Sequence, residues 1–201
     1  LNQKIKPLNF PIIVKPASLG SSIGITLAKT AEELSEALKK AFKYDDKVII
    51  EKALSFFTEI NCACYFDGQK TIVSECEKCE NNSRILSFSD KYESSIPREF
   101  PAKIDKILSD KIKKISQKIY EACRFRGIIR IDYLIDKEQV YVNEINTVPG
   151  SLAYYLFCDT FSDFAFLLEK TCRNAINEQK ENLRDYTYIS NVLNGSFNNK
   201  K

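Results

Sequence analysis

The sequence predicts an α+β protein, in which antiparallel sheets are flanked by helices. Two patterns lead to this fold class. Short apolar stretches pair through tight turns such as Asp67-Gly68, and longer stretches carry apolar residues at helical spacing. The 201 residues, 44% of them hydrophobic, are enough for one compact domain or a pair of small lobes.

The first half of the chain predicts a hairpin, a helix, a single strand and a second hairpin. Thr30 and Glu33 form a capping box, and the apolar spacing behind them predicts a helix over 31–43. Small residues over 17–24 predict the loop inside the first hairpin. The predicted strands are 11–16, 25–28, 47–51, 58–66 and 70–75.

The second half predicts two helices and a third hairpin. Residues 77–100 have no clear period, so we expect a long loop of the kind that forms lids, with one short strand near 85–88. Amphipathic spacing predicts helices over 104–123 and 162–176. The polar C-terminal residues predict a frayed terminus. The hairpin strands are 127–135 and 140–145.

Composition excludes several classes of function. The chain has no histidine, which rules out Ser-His-Asp triads, Cys-His proteases and His-ligated zinc. A balance of 30 Lys+Arg against 27 Asp+Glu leaves only +3, which does not favour nucleic acid as a partner. No apolar run approaches the ~20 residues of a membrane span, so we expect a cytoplasmic protein with no membrane partner.

The cysteines allow two interpretations. Cys62, Cys64, Cys76 and Cys79 come in two close pairs, as in a four-thiolate zinc site. Cys62 and Cys64 also share one face of a predicted strand, where they serve as small buried hydrophobes. Reduced structural thiols are the default expectation and agree with a cytosolic compartment.

The third hairpin carries a candidate metal site. Strand alternation places Arg130 and Asp132 on one face of the first strand, and Glu144 and Asn146 on one face of the second. A turn centred near 138 pairs Asp132 with Glu144. Two carboxylates about 4 Å apart repel by ~4 kcal/mol at an effective dielectric of ~20, and a cation removes that cost. Carboxylate and amide oxygens suit Mg²⁺; the alternatives are an exposed charge pair or an Asp132–Arg130 salt bridge.

Lys15, at a strand end before a small-residue loop, is a candidate phosphate-binding residue. Gly20 and Gly24 let backbone N–H groups approach an anion, and Ser21 and Ser22 add hydroxyl donors. The loop matches neither the Walker A motif nor the dinucleotide-binding fingerprint. A hairpin turn without a ligand is the alternative interpretation.

Together these features resemble the ATP-grasp superfamily, and specifically its D-alanine-D-alanine ligase family. The matching stretches lie in family order and are 13–25, 48–52, 59–63, 90–92, 127–132 and 143–150. The resemblance implies an ATP-grasp fold of two lobes with the nucleotide between them. It divides the chain into a partial central lobe over 1–54, a C-terminal lobe with the metal site over 55–180 and a polar tail over 181–201.

The resemblance also implies roles for individual residues. ATP would be bound by Lys15, Ser22, Glu51, Lys52, Leu54, Glu59 and Lys91. Mg²⁺, or Mn²⁺ in its place, would be bound by Asp132, Glu144 and Asn146. The catalytic groups would be Ser21, Tyr92, Arg130 and the Gly150 backbone N–H, the last two of which would stabilise an anionic tetrahedral centre.

By the same resemblance, the reaction has two steps and serves peptidoglycan precursor synthesis. A D-alanine carboxylate attacks the γ-phosphate of ATP to form an acyl phosphate, and a second amine then displaces phosphate. Neither step needs histidine. The expected partners are small molecules, ATP and D-alanine, together with a homodimer formed through the N-terminal part of the enzyme.

The chain departs from the family pattern in several places. It begins at Leu1 and has no Met, and we expect it to lack the N-terminal domain that binds the first D-alanine and to be inactive alone. Ser151 or Tyr155 would replace the serine that holds the second substrate's carboxylate. D-Lactate, D-serine or another amino acid therefore stay open as second substrates, and a non-catalytic nucleotide-binding module is a further alternative.

Overall fold

The computed structural model describes residues 8–20, 22–79 and 97–181, which form two antiparallel sheets and three α-helices. The strands are β1 (Ile12–Pro16), β2 (Thr26–Ala28), β3 (Val48–Lys52), β4 (Thr58–Phe66), β5 (Thr71–Val73), β6 (Glu77–Cys79), β7 (Arg98–Glu99), β8 (Ile129–Asp136) and β9 (Gln139–Asn146). The helices are α1 (Ala31–Ala41), α2 (Lys106–Ala122) and α3 (Phe161–Glu181), and a short 3₁₀ segment covers Gly150–Leu156.

The first sheet has the strand order β2-β1-β3 and carries α1 on one face. Alternate residues of β1, Ile12 and Val14, are fully buried against Leu34 and Ala37 of the helix. Successive residues of a strand point to opposite faces, so Ile13 and Lys15 of β1 point to the other face of this sheet. The predicted first hairpin is confirmed by the pairing of β1 with β2.

Two of the helices begin at side-chain caps. Thr30 Oγ1 accepts the Glu33 N–H at 3.2 Å, and Glu33 Oε2 accepts the Lys29 N–H at 2.7 Å. The predicted capping box is therefore confirmed, although α1 ends at Ala41 rather than near residue 43. Asp105 caps α2 by accepting two backbone N–H groups of the first turn, so α2 begins just after it.

The second sheet has the order β7-β6-β4-β8-β9, with β5 also paired to β4. Its central strand, β4, places Ile60, Cys62 and Cys64 in the core that α2 covers. Glu59 and Asn61 alternate with these residues and point to the opposite face. That opposite face also carries Arg130, Asp132, Glu144 and Asn146.

Strand pairing extends further along the chain than predicted. The strand predicted over 70–75 is confirmed only over Thr71–Val73, but pairing with β4 resumes at Glu77–Cys79, and Arg98–Glu99 adds a further short strand. The prediction of a loop from 77 to 100 is therefore wrong at both ends. These strands are short and polar, so they have no apolar alternation for a sequence reading to detect. The strand predicted near 85–88 lies outside the described residues.

The last helix, α3, is longer at its C-terminal end than the 162–176 predicted. Thr160 and Asp163 cap its first turn reciprocally, since each backbone N–H bonds to the other side chain. Leu167 is the residue of α3 that is buried against the rest of the protein. Within the described ranges, no helix combines the length and the apolar character that a membrane crossing requires.

Candidate active site

The two sheets enclose a cleft of about 780 Å³ between the faces that α1 and α2 leave uncovered. Its lining combines charged and apolar side chains, as small-molecule sites do. The first sheet, the segment that follows β3, and strands β4 and β9 all contribute to this one surface. The predicted site residues that line the cleft are Lys15, Ser22, Glu51, Lys52, Leu54, Glu59, Glu144 and Asn146.

Lys15 is held at the cleft wall by an ion pair with Glu51. Lys15 Nζ lies 2.6 Å from Glu51 Oε2, and the β1–β3 register makes the two residues diagonal neighbours on one face. The Lys15 side chain is only 19% exposed, so its ammonium group does not extend freely into solvent. An anion in the cleft would therefore share this ammonium group with Glu51.

The loop between β1 and β2 is fastened by Asp45, a residue that no sequence pattern singled out. Asp45 Oδ1 accepts the Lys47 N–H at 3.0 Å, and Asp45 Oδ2 accepts the Ser18 N–H at 2.6 Å. These two backbone bonds lower the pKa of the Asp45 carboxyl to about 2. Further along the loop, Gly24 adopts φ +76° directly against Pro16. Asp45 therefore links the glycine-containing loop to the start of β3.

The β8–β9 hairpin pairs Asp132 with Glu144 and Arg130 with Asn146, as the sequence predicts. Arg130 Nε donates to Asp132 Oδ1 at 2.7 Å, and Arg130 Nη2 donates to Asp132 Oδ2 at 2.9 Å. Asn146 Nδ2 donates to Asp132 Oδ2 at 3.0 Å. The Asp132–Arg130 salt bridge considered above is thus present, and it is buried. Burial opposes the guanidinium charge, but the bonds to Asp132 outweigh it and raise the pKa of Arg130.

The donor atoms around Asp132 fit a hard divalent cation. Among the described residues, Glu144 makes no hydrogen bond or ion pair, and a Cβ built on Gly20 would lie 3.9 Å from its Oε1. In the part of the chain that the structure describes, no group of three or more Cys, Asp or Glu side chains is placed so that it could bind a metal ion by itself. Asp132, Glu144 and the Asn146 amide oxygen are hard oxygen donors, and they would be the groups that hold Mg²⁺.

The four cysteines considered above as zinc ligands do not form a zinc site. All four lie in the described ranges, where no metal-binding cluster is found. The reason is strand alternation: Cys79 pairs with Glu59 on the cleft face, whereas Cys62 and Cys64 face α2. Burial raises the pKa of Cys64 and of Cys79 to about 12, which keeps both thiols protonated at neutral pH.

Tyr155 joins a polar cluster on the cleft face that sequence reasoning did not find. Arg98 Nη1 donates to Tyr155 Oη at 2.7 Å, and the guanidinium carbon lies 5.5 Å from the ring centroid. Tyr155 Oη in turn donates to Glu77 Oε2 at 3.4 Å. The apolar residues beside Tyr155 in the 3₁₀ segment pack on Ala63 of β4, and this packing holds Tyr155 in the cluster. Glu77 and Arg98 gave no sequence signal, because they lie on the short polar strands.

The remaining predicted residues fall into two groups. Ser151 is exposed at φ +51°, and the Gly150 backbone beside it borders open space, since an added Cβ would meet no atom within 4 Å. The structure thus places Tyr155, and not Ser151, in a polar cluster. The residues that lie outside the described ranges are Ser21, Lys91 and Tyr92.

The model of the family described as "D-ala D-ala ligase C-terminus" matches residues 1–171. The chain belongs to this family. Membership confirms the resemblance drawn from the motifs, and the D-Ala-D-Ala ligase C-terminal fold is the ATP-grasp fold predicted from them.

Named relatives agree with the family model. The chain is 42% identical over 173 residues to the D-alanine–D-alanine ligase of Thermosipho africanus, an alignment that covers 83% of this chain and 46% of the relative. It is 38% identical over 189 residues to that of Campylobacter lari, with 92% of this chain and 52% of the relative covered. The chain spans about half the length of the curated relatives it matches.

Solved structures of this family are also similar. The D-alanine-D-alanine ligase from Helicobacter pylori is 32% identical with a TM-score of 0.66, over 83% of this chain and 46% of that one. The VanG D-Ala:D-Ser ligase from Enterococcus faecalis is 28% identical with a TM-score of 0.71, over 86% of this chain and 52% of that one.

Proposed function

We propose that the protein containing this chain is an ATP- and Mg²⁺-dependent ligase that joins two D-alanines for peptidoglycan precursor synthesis. One observation carries the proposal: two separate sheets direct Lys15, the Glu144 carboxylate and the Asn146 amide into a single cleft, and Asp132 is the strand partner of Glu144. The family relationship supports the substrate class, because the relatives named above are D-alanine–D-alanine ligases. The 1–54 and 55–180 lobes correspond in this proposal to the two sheets that form the cleft walls.

ATP would lie in the cleft with its phosphates towards Lys15 and its adenosine towards the segment after β3. Glu51, Lys52 and Leu54 border the adenine end, and the Glu59 carboxylate would accept ribose hydroxyls. Ser22 and the glycine-containing loop would cover the phosphates, because Gly20 lies across the cleft from Glu144. The roles of Ser21, Lys91 and Tyr92 are retained from the family resemblance alone.

The chain's own residues would chiefly position and neutralise charge. Asp132, Glu144 and Asn146 would hold Mg²⁺, or Mn²⁺ in its place, and the bound ion would offset the charge of the transferring phosphoryl group. Arg130 keeps the Asp132 carboxylate oriented through two hydrogen bonds, and its remaining N–H groups would face the anionic tetrahedral centre. The Gly150 N–H would provide a second donor to that centre.

The nature of the second substrate is the most open part of the proposal. Tyr155 occupies the approximate position of the serine that holds this substrate's carboxylate in the family, and Ser151 is the alternative group. Since a similar structure is that of a D-Ala:D-Ser ligase, a ligase that adds D-serine or D-lactate is a second candidate. In either case we place the enzyme in the cytoplasm, where ATP is available, and we retain the homodimer through an N-terminal part as a proposal.

Phosphate release tests the proposed function. Full-length protein would be incubated with ATP and Mg²⁺, and with D-alanine, D-serine, D-lactate or a panel of L-amino acids. D-Alanine alone should stimulate phosphate release and yield the dipeptide. Release only with D-alanine plus D-serine or D-lactate would favour the second candidate. The absence of any D-alanine-dependent phosphate release would contradict both candidate functions. The same assay on this chain alone should show no turnover.

A further inference from the structure

Glu77 is a buried carboxylate on the cleft face of the second sheet, and the proposed mechanism does not use it. It is 1% exposed, and strand pairing sets it opposite Asn61. Asn61 Nδ2 donates to Glu77 Oε2 at 2.9 Å, which fixes the carboxylate from within the sheet. Burial of a charged group costs free energy unless the charge is paired. The groups that pair with Glu77 therefore indicate its role.

Two groups at the edge of the cleft face compensate this charge. Arg98 Nη1 lies 3.5 Å from Glu77 Oε1, and the Tyr155 hydroxyl donates to Glu77 Oε2 at 3.4 Å. Arg98 and Tyr155 also bond to each other at 2.7 Å. Glu77 therefore joins a strand residue and a 3₁₀-segment residue that lie 57 positions apart in sequence.

The cluster retains hydrogen-bond donors beyond those that Glu77 and Tyr155 use. A guanidinium carries five N–H donors, and the bonds of Arg98 within the described residues involve Nη1. The Arg98 side chain is also 49% exposed, so it is accessible to a ligand, whereas Glu77 is not. The Tyr155 hydroxyl has one proton, which it donates to Glu77, so the remaining N–H groups of Arg98 are the donors suited to bind a carboxylate.

We propose that Glu77 is a positioning residue: together with the Tyr155 hydroxyl, it fixes Arg98 as the carboxylate-binding group for the second amino-acid substrate. This inference rests on the proposed ligase function. Arg98 comes from a two-residue strand, which by itself would hold a long side chain poorly. The buried carboxylate supplies the missing constraint, because it forms an ion pair with Arg98 and accepts a hydrogen bond from the Tyr155 hydroxyl that Arg98 also contacts.

The test compares Glu77→Gln with the matched control Glu75→Gln in full-length protein. Glu75 lies two residues away but forms its ion pair with Lys113 of α2, and it does not line the cleft. Glu77→Gln should raise the KM for the second amino acid about tenfold to a hundredfold, as expected for loss of a charged hydrogen-bond acceptor, and leave the KM for ATP within about twofold. Glu75→Gln should change neither constant. A Glu77→Gln enzyme with an unchanged amino-acid KM would overturn the proposal.

Arg98→Lys provides a second route that leaves Glu77 itself unchanged and keeps a positive charge beside it. It should raise the same KM, and Glu77→Gln combined with Arg98→Lys should raise it no more than the stronger single change, since both act through one pair. If the increases of the two single variants multiplied in the double variant, or if the KM for ATP rose equally, the role would be merely structural and the proposal would be overturned.

A binding measurement separates this inference from the proposed function. Calorimetric titration of the D-alanyl-D-alanine dipeptide uses its single carboxylate as the probe and requires no turnover. If wild-type protein releases no phosphate, the ligase proposal fails, and the dipeptide decides the positioning role by itself. Dipeptide binding that Glu77→Gln weakens about tenfold or more supports the role. Equal binding by both proteins, or no binding by the wild type, refutes it.

Discussion

Arg130 donates two hydrogen bonds to the carboxylate of Asp132, and the two residues lie two positions apart on β8. Strand alternation puts both side chains on the same face, where their side chains are 17% and 6% exposed. A proposed metal ligand is therefore also half of a buried ion pair. The two carboxylates of the hairpin should consequently respond differently to substitution.

Glu144→Gln should weaken Mg²⁺-dependent ATP binding without much loss of stability, because Glu144 has no ion pair among the described residues. Asp132→Asn should weaken the same binding and also lower the free energy of unfolding by about 3 kcal/mol, since it leaves Arg130 buried and uncompensated. Nucleotide titration with and without Mg²⁺, together with urea unfolding, measures both effects. Unchanged nucleotide affinity in Glu144→Gln would contradict the metal site and leave Asp132 and Glu144 as ordinary neighbouring charges of the hairpin.

The attachment of the loop by Asp45 should depend on pH. The pKa of Asp45 in the folded protein is about 2, below its ordinary value of 3.8, so the deprotonated carboxylate favours the folded state. Its contribution should be complete above about pH 4 and be lost as the pH falls towards 2. An NMR titration of the Asp45 carboxyl measures this directly. A midpoint near 3.8 for Asp45 would contradict the two backbone hydrogen bonds.

Gly24→Ala should destabilise the loop by about 1–3 kcal/mol. Gly24 adopts φ +76°, and an added Cβ would lie 2.8 Å from Pro16 Cγ and 3.1 Å from Tyr44 Cδ2. Gly150→Ala is the matched control for stability, because an added Cβ there meets nothing within 4 Å. Urea denaturation of both variants measures the difference. Equal stability of the two would show that the loop relaxes around the new methyl group.

The pairing of Asp132 with Glu144 was predictable from the sequence, but the geometry behind it was not. A two-residue turn between Asp136 and Gln139 would pair Asp132 with residue 143 in a regular ladder. A bulge between Asp132 and Tyr133 shifts the register by one residue and produces the predicted pair. Hydrophobic alternation identified the strands, whereas the bulge depends on packing that alternation does not encode.

The sequence by itself determined the α+β class, the capping box of α1, the pairing of Asp132 with Glu144 and, through ordered motifs, the family. These features are local, since they depend on turn residues, side-chain alternation and spacing within a few positions. Only the tertiary structure decided that Tyr155 meets Glu77 and Arg98, and that Asp45 holds the loop after β1. Those contacts join residues far apart in sequence through short polar strands and turns, for which hydrophobic periodicity provides no signal.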